Sequence, residues 1–137
     1  MYSISRYWVS RPSVKRFRAT MNISKDLVAA SATPLVLAIL SEGESYGYAI
    51  LKKVGELSGG QLQWTDGMLY PVLHRLERNG HVEATWGRSE VGRRRKYYRL
   101  TDQGMKQLAD QQRQWQVVDS ALRSIWFGAV QPAPESV

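Results

Sequence analysis

The 137-residue sequence predicts a mainly α fold with a small two-stranded β-wing, and three observations lead there. Apolar residues recur at helical spacing in three successive segments between residues 24 and 78. Two short stretches, Val82 to Trp86 and Lys96 to Leu100, then alternate apolar and polar residues with the period of a strand. A final segment from residue 101 to about 127 returns to helical spacing with no internal proline.

The first helix is expected from Ser24, a side chain suited to an N-cap, through Leu27, Val28, Leu35, Val36, Ile39 and Leu40. Pro34 lacks the N–H that an interior helical residue donates, so this segment should kink or restart there. Ser41 to Glu44 reads as a turn, and Ser45 as the cap of a second helix reaching about Leu57, with Ile50, Leu51, Val54 and Leu57 on one stripe. Gly59-Gly60 should end it. A third helix starts near Thr65 or Asp66; at about 100° per residue, Leu69, Val72, Leu73 and Leu76 share one side. Gly67, Pro71, His74 and Arg78 lie opposite, flanked by Tyr70 and Arg75, until Asn79-Gly80 stops the helix. Pro71 predicts a late start or a bend in the first turns. Val82, Ala84 and Trp86 then pair as a hairpin with Lys96, Tyr98 and Leu100 across a loop of residues 87–95. Thr101 or Asp102 caps the last helix, where Leu108, Gln111, Trp115, Val118, Leu122 and Ile125 follow the spacing of a helix-packing seam. Residues 1–20 read as a basic disordered arm, 24–100 as one domain, 101–127 as a dimerisation helix and 128–137 as a disordered tail.

The formal net charge of +7 is unevenly placed. Arg6, Arg11, Lys15, Arg16 and Arg18 face no acid within the first 20 residues, and Met21 offers a second start site. Between Arg88 and Arg99, six basic residues accompany the single acid Glu90. Charge focused on a tail and one loop favours an oriented polyanion over general adhesion. The absence of cysteine excludes disulfides and thiolate metal sites and suits a cytoplasmic protein. Residues 27–40 form the longest mostly apolar run, too short for a bilayer span of roughly 20 residues, so no membrane partner is expected.

Three helices followed by a hairpin is the order of a winged helix-turn-helix. One helix fits the major groove of B-DNA, and its exposed N-terminal half must offer small or hydrogen-bonding groups to base edges. Gly67 permits close approach, Tyr70 offers a hydroxyl to phosphate, and His74, Arg75 and Arg78 can bond to bases or phosphate. Arg93, Arg94, Arg95 and Lys96 can follow the backbone or enter the minor groove. Taken singly, Arg75 and Arg78 fit an ordinary solvated face, and Tyr70 and Tyr98 fit half-buried packing. Four adjacent cations are harder to explain without an anionic partner.

Three segments, Gly43-Glu44-Ser45-Tyr46-Gly47-Tyr48-Ala49-Ile50, Leu69-Tyr70-Pro71-Val72-Leu73-His74-Arg75-Leu76-Glu77 and Arg95 through Gly104, resemble the PadR family of bacterial transcriptional regulators in order and spacing. The resemblance covers residues 24 to 127. It implies a winged helix-turn-helix, a C-terminal helix that forms a homodimer, and repression relieved by a ligand or stress signal. It also implies that Tyr48, the Tyr70 region and the basic wing meet DNA phosphates. Two departures stand out: Met68 replaces the Thr or Ser common before the Leu-Tyr-Pro run, and Pro34 interrupts the first helix.

By their spacing, Leu108, Trp115, Val118 and Leu122 are candidates for the seam of the homodimer that the resemblance implies, and Trp126 fits a pocket lining or a cap on that seam; by the same resemblance Trp115 is a candidate for stacking on a small planar aromatic or hydrophobic effector. Trp115 also fits plain packing at a two-fold interface. His74 and His81 lack carboxylate or thiolate companions at ligand spacing, and no nucleotide-binding glycine loop or nucleophile motif is present, so no metal, cofactor or enzymatic activity is expected. The sequence thus predicts a homodimeric repressor that binds a palindromic double-stranded operator. The rivals are a basic module for RNA or membrane surfaces, driven by arm and loop, and a ligand-binding or protein-interaction dimer that has lost operator reading.

Overall fold

In the computed structural model, which describes residues 21–128, the elements in chain order are α1 (Lys25–Ser41), β1 (Ser45–Tyr46), α2 (Gly47–Leu57), α3 (Asp66–Arg78), β2 (Val82–Arg88), β3 (Arg94–Leu100) and α4 (Asp102–Phe127). The expected arm over residues 1–20 and tail over 128–137 lie outside the described residues, save Gly128.

α1 is the central helix. Ala32, Val36, Leu37, Ile39 and Leu40 are buried on it, and it packs against α2, α3, β3 and α4. The Ser24 hydroxyl accepts from the Leu27 N–H, as a cap should. Pro34 does not restart the helix, which runs unbroken past it. Burial against four elements outweighs the one backbone bond that proline omits. Leu27 points to solvent instead of joining the core.

The sheet has three strands in the order β1-β3-β2, one more than the sequence predicts. Ser45 does not cap α2: it pairs with Tyr98, and Tyr46 with Tyr97, as the short strand β1. Two residues carry no readable alternation, which is why this strand is silent in the sequence. Tyr46 becomes the N-cap residue of α2 and makes no side-chain capping bond. On α2, Ile50 and Val54 are fully buried while Leu57, in the last turn, is exposed.

α3 places Leu69, Val72, Leu73 and Leu76 in the core, and its helix contains Pro71. It starts at Asp66 without delay. Pro71 occupies the exposed side, so the carbonyl one turn earlier that it cannot serve stays near solvent. In the hairpin, Val82 faces Leu100, Ala84 faces Tyr98 and Trp86 faces Lys96, so the two alternating sets share one face. Pairing continues to Arg88 and Arg94, leaving a loop of residues 89–93, shorter than expected. Arg88 Nη1–H donates to the Gly92 carbonyl at 2.8 Å, and Gly92 takes the left-handed φ of +83° that this closure needs.

α4 is tied to the wing's base. Thr101 accepts from the Gly104 N–H at 3.0 Å and donates to the Gly80 carbonyl at 2.6 Å. Gly104 is buried, and a Cβ there would collide with the His81 carbonyl. Beyond Leu108, the last core residue of α4, the helix runs on with its side chains half-buried or exposed.

Candidate nucleic-acid interface

A groove of about 720 Å³ lies between the start of α2, one face of α3 and the wing. α2 contributes Gly47 and Tyr48, with Tyr46 just before them; α3 contributes Tyr70 and His74; the hairpin contributes Trp86, Arg93, Arg94, Arg95, Lys96 and Tyr98. Four cations line it and no carboxylate does.

The wing cations are held without being neutralised. Arg94 lies 4.5 Å from the centre of the Trp86 ring, and Arg95 lies 3.7 Å from that of Tyr46. The Lys96 ammonium is 5.6 Å from the Tyr98 ring. Such cation–π contacts restrain a side chain while leaving its charge and N–H donors available. By contrast, the wing's outer Arg99 is bound to Glu83 at 2.9 Å. Among the described residues, none of Arg93, Arg94, Arg95 or Lys96 pairs with an acid. The T-shaped Tyr46–Tyr97 pair, 5.6 Å between centres, fixes the platform beneath Arg95.

Tyr70 owes its position to a missing side chain. A Cβ on Gly47 would collide with the Tyr70 hydroxyl, so glycine lets that hydroxyl reach the first turn of α2. The free N–H groups of that turn carry the positive end of the helix dipole and have no side-chain cap. The same is true of α3, where Thr65 makes no side-chain capping bond. α1 and α4, whose starts lie away from the groove, are both capped. His74 follows Tyr70 one turn later, with ring centres 6.2 Å apart. Tyr48 is 69% exposed at the rim. On the floor, Tyr98 is fully buried; burial pushes its hydroxyl up to about 12, helped by Tyr70 and Glu77.

Of the residues the sequence singles out, Tyr48, Tyr70, His74 and Arg93 through Lys96 come together here. Gly67, Arg75 and Arg78 do not line the groove. Gly67 is exposed in the first turn of α3, and Arg78 is exposed at its end. Arg75 turns to α1, where its Nη2–H donates to Thr33 Oγ1 at 3.1 Å. Tyr46, Gly47 and Trp86 belong to the groove although the sequence argument gave them no part in it. Trp86 faces Lys96 across the hairpin; Tyr46 and Gly47 acquire their roles only from β1 pairing with β3. Among the described residues no three His, Asp or Glu side chains gather to hold a metal ion.

Far from the groove, α4 carries a second surface. Trp115 is half-buried, and Val117, Val118, Leu122, Ile125, Trp126 and Phe127 are exposed. Among the described residues no helix is long and apolar enough to cross a membrane.

Residues 36–110 match the model of the transcriptional regulator PadR-like family. A transcriptional regulator from Clostridium thermocellum is similar in structure, with a TM-score of 0.68 and 30% identity over 75% of this chain and 97% of that one. A PadR-like transcriptional regulator from Bacillus cereus gives a TM-score of 0.68 at 28% identity, over 76% of this chain and 99% of that one. The Escherichia coli transcriptional regulator YqjI is 28% identical over 95 residues, which are 69% of this chain and 44% of YqjI.

Proposed function

We propose, for a chain that belongs to the PadR-like family of transcriptional regulators, that it binds a palindromic operator as a homodimer and represses transcription from it. The carrying observation is the groove itself: four unpaired cations, two exposed tyrosine and histidine donors and an uncapped helix start face one opening with no carboxylate. That is the complement of a phosphodiester backbone, and most of these contacts position the protein. α3 enters the major groove with Gly67, Tyr70 and His74 nearest the bases. The wing follows the adjacent backbone with Arg93, Arg94, Arg95 and Lys96, and Tyr48 meets a phosphate beside the start of α2.

The dimer is supported by the far half of α4. Val118 and Leu122 recur on the helical stripe begun by Leu108 and Trp115, and Ile125, Trp126 and Phe127 extend an apolar surface that water penalises. Pairing two such helices brings two copies of α3 to one side, about 34 to 36 Å apart, for half-sites one duplex turn apart. In that dimer, a planar or hydrophobic effector that stacks on the half-buried Trp115 relieves repression. The site of action is the cytoplasm.

The test is fluorescence anisotropy of the purified protein with its own promoter region against random duplex of equal length at moderate salt. A clear preference for the promoter, with a stoichiometry of two chains per site, is expected. Equal affinity for both duplexes defeats the operator reading and leaves the basic-module rival.

A further inference from the structure

A second cavity, of about 610 Å³, lies behind α3 on the side away from the wing. Val28, Ala29 and Ala32 of α1 form one wall, and Met68 and Val72 of α3 form another. Leu62 and Trp64, in the connection between α2 and α3, close the third. Its size and mostly apolar lining with a few polar groups are those of a small-molecule site. Its charged groups share one sign, and Asn22, Gln61 and Gln63 add neutral amides. Lys25 and Arg75 line the rim, no carboxylate does, and the Trp64 indole N–H is buried without an acceptor. Trp64 is itself 8% exposed, so this donor cannot turn to water as it stands.

We infer that the cavity between α1, α3 and Trp64 binds a small apolar molecule carrying one carboxylate. The apolar body fills the space left by Ala29 and Ala32, while the carboxylate accepts from Arg75 and faces Lys25. The Trp64 N–H is closed off from the open cavity, so its indole serves there as apolar wall. Charge complementarity selects this occupant: a neutral apolar molecule leaves the guanidinium unused, and a cation is repelled by both rim charges. The site differs from the Trp115 region of α4 in location and in chemistry. It touches Met68, Val72 and Arg75 on the helix that also lines the basic groove, so an occupant bears directly on the placement of α3.

The inference concerns binding alone and holds or fails whatever α3 reads. Isothermal titration of the full chain with β-naphthoate, and with neutral β-naphthol as its uncharged counterpart, tests it in the absence of DNA. Saturable binding of the carboxylate, roughly tenfold or more tighter than the alcohol, is expected. Arg75→Gln should remove most of that preference. Ala29→Phe, at an exposed position where folding is not at stake, should block both ligands. Trp64→Phe, which shrinks the bicyclic wall to a single ring, should weaken both ligands by a few-fold. No saturable binding overturns the inference, including the case in which residues 1–20 or a second copy fill the cavity. Binding that none of the three substitutions moves overturns it too, because the ligand then sits elsewhere.

Discussion

The wing and α3 flank the same groove but present their charge to it in different ways. All four wing-tip cations line it, three of them held against aromatic rings, whereas α3 sends it Tyr70 and His74 and directs Arg75 to Thr33. On the proposed operator reading, the wing supplies strength of attachment, since unpaired guanidinium groups release counterions on meeting phosphate whatever the base sequence. On the same reading α3 supplies discrimination, since it offers the groove Tyr70 and His74 in place of lysine or arginine. Affinity and selectivity should therefore separate by element on mutation.

The largest effect expected is on the wing. Arg94→Ala with Arg95→Ala removes two stacked cations and should weaken operator binding by on the order of a hundredfold, at about 1.4 kcal/mol per tenfold. The slope of log affinity against log salt should become shallower by about 1.8, from about 0.9 per lost phosphate contact. Anisotropy titrations between low and moderate salt measure both. The promoter preference over random duplex should survive; its loss would mean that the wing reads sequence and the proposed division is wrong.

Next in size is Gly47→Ala, which attacks the junction between the two regions. Its Cβ collides with the Tyr70 hydroxyl, so the ring must leave its place or α2 must shift. Overpacking of this kind costs about 1–3 kcal/mol. Denaturant unfolding should show that loss in the single variant and little further loss when Tyr70→Ala is added, because the second change removes the obstacle. Independent, additive losses would show that Gly47 serves something other than Tyr70.

Within α3, His74→Ala should weaken specific binding by about tenfold, the cost of a lost hydrogen bond to a charged or base-edge partner. Arg75→Ala should change it by about twofold or less, because the guanidinium faces α1. Parallel titrations with promoter and random duplex decide between them. If Arg75 proves the more costly, the side chain swings out to DNA and the contrast between wing and helix is smaller than the unbound structure suggests.

Much of this was legible in the sequence. Leu69, Val72, Leu73 and Leu76 declare the buried side of α3 by spacing alone, and all four are buried. Ser24 and Thr101 were legible as caps, because a hydroxyl before a periodic run has one efficient use. What was hidden depends on tertiary context. Arg75 lies on the flank between the core and exposed sides of α3, and which neighbour it meets is set by where α1 crosses, which no local pattern states. Ser45 looks like a cap for α2, yet backbone pairing with Tyr98 competes for it and wins. The stacking of Arg95 on Tyr46 joins residues about fifty positions apart, through a strand too short to be seen in advance.

The smallest effect tests how the wing is anchored beneath its charge. Tyr98 on β3 is fully buried, and its hydroxyl has no hydrogen-bond partner among the described residues. Replacing it by phenylalanine keeps the ring and removes an unpaired polar atom, so Tyr98→Phe should be neutral or stabilising by up to about 1 kcal/mol in denaturant unfolding. The pH dependence has a definite sign. The ordinary tyrosine value is 10.0, and burial raises it to about 12 in the folded chain, so the folded state favours the protonated form. That contribution is complete below the ordinary value, declines as pH rises through the interval, and is lost above the raised one. The native protein should therefore lose stability across that alkaline window more steeply than Tyr98→Phe. Equal slopes would mean that the hydroxyl reaches water and that the wing's inner face is looser than its side-chain contacts imply.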